Sequence, residues 1–423
     1  MSTSPTSESF LEIYDQTPDA QKVALLFQWV AAKPLVLFAE LRAKRPILVV
    51  PAGPVLVTRF ADVEEVLTRN LQFQVLPYTP KMDPSVGPFM LARDGTVYNQ
   101  RDKGIMRALI QEFDMPSVRR TVAELAKAAI LGGASPDFRL DVVTQVSRPV
   151  PVQLTGRYFG FPGPDITTML SWSFWTQYDM FHNLTNDSDI HAKNVAAGQA
   201  MKAYLSDFLP RRAEAVAQDS SADDIVARLL RLRTPPTIGF DMERIMSNVM
   251  GLLVGGIETT NAAVVQAIDQ ILNRPDALAQ ALQAALAGDD AQFDAIFWEA
   301  LRFNPINPFV GRILVEPYVV AAGTERELTL PARAFVLASG TSAMHDETVV
   351  PDPEVFKPGR PAYHYLHLGF GEHRCLGDQV SLQQAPELAK QIFLAGYTKR
   401  APGAAGQLNF NGGPFPEHFT LTK

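Results

Sequence analysis

The chain has 423 residues, 47 % of them apolar and 20 % charged, enough to bury a large core and too apolar for a disordered or fibrous protein. Its 38 basic against 45 acidic residues leave a formal charge of −7, which offers no global attraction to nucleic acid. A single cysteine, Cys375, excludes an intramolecular disulfide and any zinc site built on two or more thiolates.

In chain order, the N-terminal stretch MSTSPTSESF is polar and lacks the basic and apolar regions of a secretory signal, so export is not expected and a cytoplasmic location is. Residues 23–41 form the most apolar run, but Gln28, Lys33, Pro34 and Glu40 interrupt what would have to be about 20 apolar residues to cross a membrane. A helix and turn packed on a soluble body is the reading, with no membrane partner. Two short strands follow at 47–50 and 55–58, joined by a Pro/Gly turn, then a helix at about 62–69. Apolar residues at three-to-four spacing predict helices over 118–131, 192–217, 222–231 and 241–273. Short strands return within 312–337, and the last hundred residues are loop-rich. No internal repeat and no Gly/Ser-rich linker interrupts the chain, so 1–423 reads as a single domain, mainly α, with small β-sheets at one edge of a large helical body.

Around the lone cysteine, residues 367–377 read His-Leu-Gly-Phe-Gly-Glu-His-Arg-Cys-Leu-Gly. Gly371 stands four before Cys375, Gly377 two after it and His373 two before it. Residue type alone also fits a buried cysteine in a glycine-rich turn. Glycines on both sides, however, let backbone approach a flat ligand closely, and a helix starting near Leu376 would favour thiolate over thiol.

This loop resembles the FxxGx(H/R)xCxG pattern of the cytochrome P450 family, the haem-thiolate monooxygenases, with Leu368 where the family usually has phenylalanine. The resemblance implies haem b, Cys375 as the axial iron ligand and His373 at a propionate. It extends to three further segments in the family's order. Glu299-Ala-Leu-Arg302 matches ExxR; a Glu and an Arg three apart share one helix face and can pair. With the segment 351–360, which brings Arg360, this pair is expected to support the cysteine loop.

Gly255-Gly-Ile-Glu-Thr-Thr260 lies inside an apolar helical run and on its own predicts a local kink or bulge. It is similar to the family's (A/G)Gx(D/E)TT, which implies that Gly255 and Gly256 leave room for dioxygen, Thr259 hydrogen-bonds it, and Glu258 relays protons. In the third segment the chain departs from the family: Tyr98-Asn-Gln-Arg-Asp-Lys103 has Asp102 where an arginine holds propionate, leaving Arg101 or Lys103 as substitutes. Arg312 is similar in placement to another family propionate arginine. After the cysteine, Ser381-Leu-Gln-Gln384 and Pro386 replace a common A-R-x-E stretch, and Pro386 predicts a kink or break at 382–386.

Two segments are rich in large apolar side chains: 73–90, with Phe73, Leu76, Tyr78, Phe89 and Met90, and 172–181, with Trp172, Phe174, Trp175, Tyr178 and Phe181. Such stripes are more often core than binding surface. If they line a pocket, with Asn307, Pro308 and Phe309 adding to its wall, the substrate is a hydrophobic small molecule, aromatic or cyclic. The resemblance implies hydroxylation or a related oxidation using dioxygen and electrons from a separate ferredoxin- or flavodoxin-type donor with its reductase, since about 48 residues after Cys375 leave no room for a fused one. A peroxide-using or electron-independent haem-thiolate enzyme, and a haem-binding sensor without turnover, are the alternatives.

Overall fold

The computed structural model describes residues 9–423 apart from 134 and 136; the polar stretch 1–8, read above as no export signal, lies outside them. Along the chain run α1 (Phe10–Gln16), α2 (Asp19–Ala32), α3 (Pro34–Lys44), β1 (Ile47–Val49), β2 (Val55–Val57), α4 (Phe60–Thr68) and β3 (Phe73–Gln74). The helical middle comprises α5 (Thr79–Val86), α6 (Lys103–Leu109), α7 (Met115–Gly133), α8 (Pro149–Leu154), α9 (Ile166–Gln177), α10 (Ser188–Gln218), α11 (Ile225–Arg231), α12 (Met242–Gly256), α13 (Glu258–Leu272), α14 (Pro275–Ala287) and α15 (Asp290–Phe303), with β4 (Arg139–Asp141) between α7 and α8. Strands β5 (Val310–Leu314), β6 (Tyr318–Val320), β7 (Leu328–Leu330) and β8 (Phe335–Ala338), helices α16 (Gly340–Ala343) and α17 (Asp378–Leu394), and strands β9 (Lys399–Arg400) and β10 (Thr420–Thr422) complete it.

Cα packing divides the chain into two units, Met1–Pro77 with Asn307–Cys375 and Tyr78–Ile306 with Leu376–Lys423. The first holds a five-stranded sheet of order β1-β2-β8-β5-β3, in which only β2 and β8 are parallel. One face packs Val57, Val63, Val66, Phe73 and Val336 together, and Leu26, Leu37, Phe38 and Leu56 form a second cluster under α2 and α3. The second unit is nearly all helix, with a small sheet of order β4-β10-β9.

The run at 23–41 is two helices. Lys33, at φ −146°, ends α2 and Pro34 starts α3, where its missing N–H is not needed. Among the described residues no helix is long and apolar enough to cross a membrane.

The expected single helix over 241–273 is split. Asp241 caps α12 by accepting from the Arg244 N–H, and Ile257 (φ −107°, ψ −66°) separates α12 from α13 directly after the glycine pair. The break expected at 382–386 is absent: α17 runs through Pro386. The carbonyl that Pro386 leaves without a helical donor belongs to Leu382, which is exposed, so water can satisfy it. The buried side of α17, including Leu388, Ile392 and Phe393, holds the helix against its neighbours.

Candidate functional site

The cysteine loop is built on two left-handed glycines, Gly369 (φ +73°) and Gly371 (φ +67°). A Cβ on Gly371 would lie 2.5 Å from the Leu67 carbonyl oxygen, so only glycine fits there. The Gly369 N–H donates to Leu366 O (3.0 Å), the Arg374 N–H to Gly371 O (3.1 Å) and the Cys375 N–H to Leu368 O (2.8 Å), which pins the cysteine's backbone. Cys375 is half-buried and in no disulfide, and His373 closes the single 3-10 turn before it. In the same unit Arg312 sits buried on β5, its Nη1 donating to Gly311 O (2.9 Å). Arg360, also buried, gathers the carbonyls of Pro351 (2.5 Å), Asp352 (2.8 Å) and Val355 (2.8 Å) and so folds the segment 351–360 around itself.

In the second unit, Gly377 precedes α17 and accepts from the Ser381 N–H (2.8 Å). A Cβ added to Gly377, Gly255 or Gly256 meets no atom within 4 Å, whereas at Gly251, one turn earlier in α12, it would collide with the Phe89 ring at 2.2 Å. The backbone of α12 is therefore covered at Gly251 and bare at the glycine pair. Thr259 Oγ1 donates to Gly255 O (2.6 Å), and Thr260, which donates to Gly256 O (2.9 Å), accepts from Gln384 Nε2 (2.8 Å). These bonds hold the broken turn open by occupying carbonyls that the widened backbone leaves free.

Glu258 is 1 % exposed. Its carboxylate accepts from Arg148 Nε (3.0 Å) and Asn261 Nδ2 (3.3 Å), while the rest of the Arg148 guanidinium forks onto Glu417 (3.1 Å to each oxygen). Burial pushes the Glu258 carboxyl up to about 7; Arg148 and Asn261 pull it down and Glu417 adds repulsion, but loss of water dominates. An acid poised at neutral pH beside a threonine over bare backbone can take up and release protons.

Glu299 and Arg302 are both fully buried and paired, Nη2 to Oε1 at 2.8 Å and Nε to Oε2 at 3.1 Å. The segment that departs from the family pattern is a π-helical turn, Tyr98–Asp102, running into α6. Asp102, fully buried, accepts from Arg101 Nε (2.7 Å), Arg244 Nε (2.9 Å) and Nη2 (2.5 Å), and Asn248 Nδ2 (3.1 Å). Arg101 also donates Nη1 to Ile238 O (2.7 Å), its guanidinium lies over the Phe240 ring, and its buried Nη2 has no partner among the described residues. Lys103 is buried at the start of α6.

The aromatic segments divide. Phe73 belongs to the core of the first unit and Leu76 is exposed. Trp172 stacks with Phe161 and Tyr204, a packing role. Phe174 instead meets Tyr178 (5.9 Å) and Phe415 (5.5 Å) edge-on, and Arg148 lies over its ring. Residue spacing gave no sign of Arg148, Glu417, His182 or Phe415, because each meets its partners only through tertiary packing.

In the first unit, a half-buried thiol on a loop pinned by backbone hydrogen bonds fits a prosthetic group with one thiolate ligand. Comparison with known proteins agrees. The Cytochrome P450 family model matches residues 164–386, just over half of the chain. The chain is 27 % identical over 367 residues to the vitamin D(3) 25-hydroxylase of Pseudonocardia autotrophica, covering 84 % of each. It is 25 % identical over 400 residues to the cytochrome P450 monooxygenase PikC of Streptomyces venezuelae, covering 89 % of each. Among solved structures, substrate-free CYP109E1 from Bacillus megaterium matches with a TM-score of 0.76 at 18 % identity, covering 92 % of this chain and 98 % of that one. P450BioI in complex with an acylated acyl carrier protein matches at 0.75 and 19 %, covering 94 % and 100 %.

Proposed function

This chain belongs to the cytochrome P450 family, and from that premise we propose that Cys375 ligates the haem iron, that His373, Arg312 and either Arg101 or Lys103 meet the propionates, and that Glu258 and Thr259 move the protons of oxygen reduction. Family membership sets the reaction class: the chain is a haem-thiolate monooxygenase that binds haem b and oxidises a hydrophobic small molecule with dioxygen. Haem activates the oxygen, and a thiolate ligand favours O–O cleavage.

The protein's own contribution is positional. The loop 366–375 fixes the thiol by three backbone hydrogen bonds, and Gly371 lets it pass close to α4. The bare backbone at Gly255 and Gly256 leaves space for dioxygen, and Thr259 presents a hydroxyl there. Glu258, the preceding residue, holds a proton, and Arg148 with Glu417 connects it toward partly exposed surface. Arg101 commits Nε to Asp102 and Nη1 to Ile238, which leaves its buried Nη2 as the group that could reach a propionate. The same reading takes 1–423 as one domain supplied by a separate ferredoxin- or flavodoxin-type donor and reductase. Relatives named as a vitamin D(3) 25-hydroxylase and a mycinamicin IV hydroxylase/epoxidase support hydroxylation or epoxidation as the reaction, and the aromatic cluster of Phe174, Tyr178 and Phe415 supports an apolar, ring-containing substrate.

The observation that carries the reading is the poised carboxyl of Glu258 next to Thr259 at the glycine-opened turn, a pairing needed when oxygen is reduced in place and of less use to an enzyme supplied with peroxide. The test of the ligand is Cys375→Ser: the reduced carbon monoxide complex should lose the red-shifted band of thiolate ligation. An unchanged band overturns the assignment of Cys375.

A further inference from the structure

Helix α9 does not end in an ordinary cap. It widens into a π-helical turn, Tyr178–His182, a distortion common at functional sites. The turn is clamped from outside. Lys81, buried on α5, donates its Nζ to the carbonyls of Asp179 (2.9 Å) and Asn183 (2.6 Å). The fully buried Asp179 carboxylate accepts from Asn183 Nδ2 (2.8 Å) and Asn194 Nδ2 (2.7 Å) and meets His191 Nδ1 (2.8 Å). All of this polar bonding lies on one side of the turn and none of it uses His182.

His182 faces the other way, into the aromatic cluster. Its ring stands edge-on to Phe415 at 4.9 Å and 82°, Phe415 meets Phe174, and Phe174 meets Tyr178. Neither ring nitrogen hydrogen-bonds a described residue. The residue is half-buried. Burial holds the imidazole down to about 4, so at neutral pH it is uncharged and carries one donor and one acceptor. A polar ring that faces aromatic side chains, with neither nitrogen bonded to a described residue, is open to a hydrogen bond from a ligand.

We propose that His182 is the polar anchor of the substrate site, hydrogen-bonding a single hydroxyl or keto oxygen of an otherwise apolar, ring-containing substrate packed against Phe174, Tyr178 and Phe415. This rests on the reading that the chain oxidises a hydrophobic molecule and adds what that molecule must carry. The clamp at Lys81 and Asp179 fixes the anchor before binding, so little ordering is needed when the substrate enters.

The test uses two probes that differ by one oxygen, 4-cyclohexylphenol and cyclohexylbenzene, titrated into the holoenzyme by calorimetry. The native protein should bind the phenol about tenfold more tightly, the effect expected when a buried polar group gains or lacks its partner. In His182→Phe that preference should vanish while cyclohexylbenzene still binds, and in His182→Gln, which keeps a donor and an acceptor, most of it should return. A preference that survives His182→Phe, or a native protein that binds the two probes equally or neither, overturns the proposal. The carbon monoxide spectrum of the same samples reports separately on thiolate ligation, so failure of the anchor and failure of the haem-thiolate assignment are told apart.

Discussion

Glu258 gives the most quantitative consequence of the structure. Its carboxyl stands at about 7 when folded against 4.5 for a free glutamate. A group raised on folding contributes stability that is complete below the unfolded value and is lost as pH rises through the folded one. That difference amounts to about 3 kcal/mol, of which about 2.5 kcal/mol falls between pH 5 and pH 8. Other groups titrate in the same window, so the quantity to measure is the difference between native protein and Glu258→Gln, which removes one titration and keeps the shape. Urea denaturation at pH 5, 6.5 and 8 should show the native protein losing stability relative to the variant as pH rises. Infrared difference spectra of the two should place the carboxyl midpoint near 7. Arg148→Gln removes the nearest positive charge, which lies 3.0 Å from the carboxylate, and should move that midpoint above 7. Parallel stability profiles, or a midpoint in the ordinary carboxylate range, would show that Arg148 outweighs desolvation and that Glu258 is a permanent anion, unsuited to relay.

Thr259→Ala should still bind substrate and consume electrons but divert them to hydrogen peroxide, read as product formed per reducing equivalent with a surrogate ferredoxin and reductase; equal coupling in variant and native protein would remove Thr259 from the relay. Glu299→Ala or Arg302→Leu breaks a fully buried ion pair and should destabilise by about 3–5 kcal/mol with loss of haem content, so normal haem incorporation in both would contradict the buried pairing. Gly371→Ala should lower the denaturation midpoint, because a left-handed L-residue costs about 1–2 kcal/mol and its Cβ meets the Leu67 carbonyl. Gly377→Ala, with no protein atom within 4 Å of the new carbon, should leave that midpoint in place and weaken haem retention only; equal thermal effects of the two would refute the distinction.

What was legible in the sequence is what short spacing controls. The cysteine loop, the Glu299–Arg302 pair and the Gly255–Thr260 turn each place their chemistry within eleven consecutive residues or fewer, so the backbone itself brings the groups together. The split of the long helix follows the glycine pair for the same reason. Pro386 misleads because the sequence shows the lost N–H but not that Leu382, whose carbonyl it orphans, is exposed. Asp102 is the clearest case of what local pattern omits. As a substitution in a family motif it puts a negative charge where a cation holds propionate. Folding surrounds it with Arg101 beside it and Arg244 from α12, two guanidiniums to one carboxylate, so the cluster keeps one positive charge in excess. The acid therefore does not reverse the sign of the segment. It draws one cation from the preceding residue and one from α12, and ties the π-helical turn before α6 to α12 through a buried contact. Spacing along the chain cannot reveal an exchange of that kind, because Arg244 lies 142 residues from the carboxylate it neutralises.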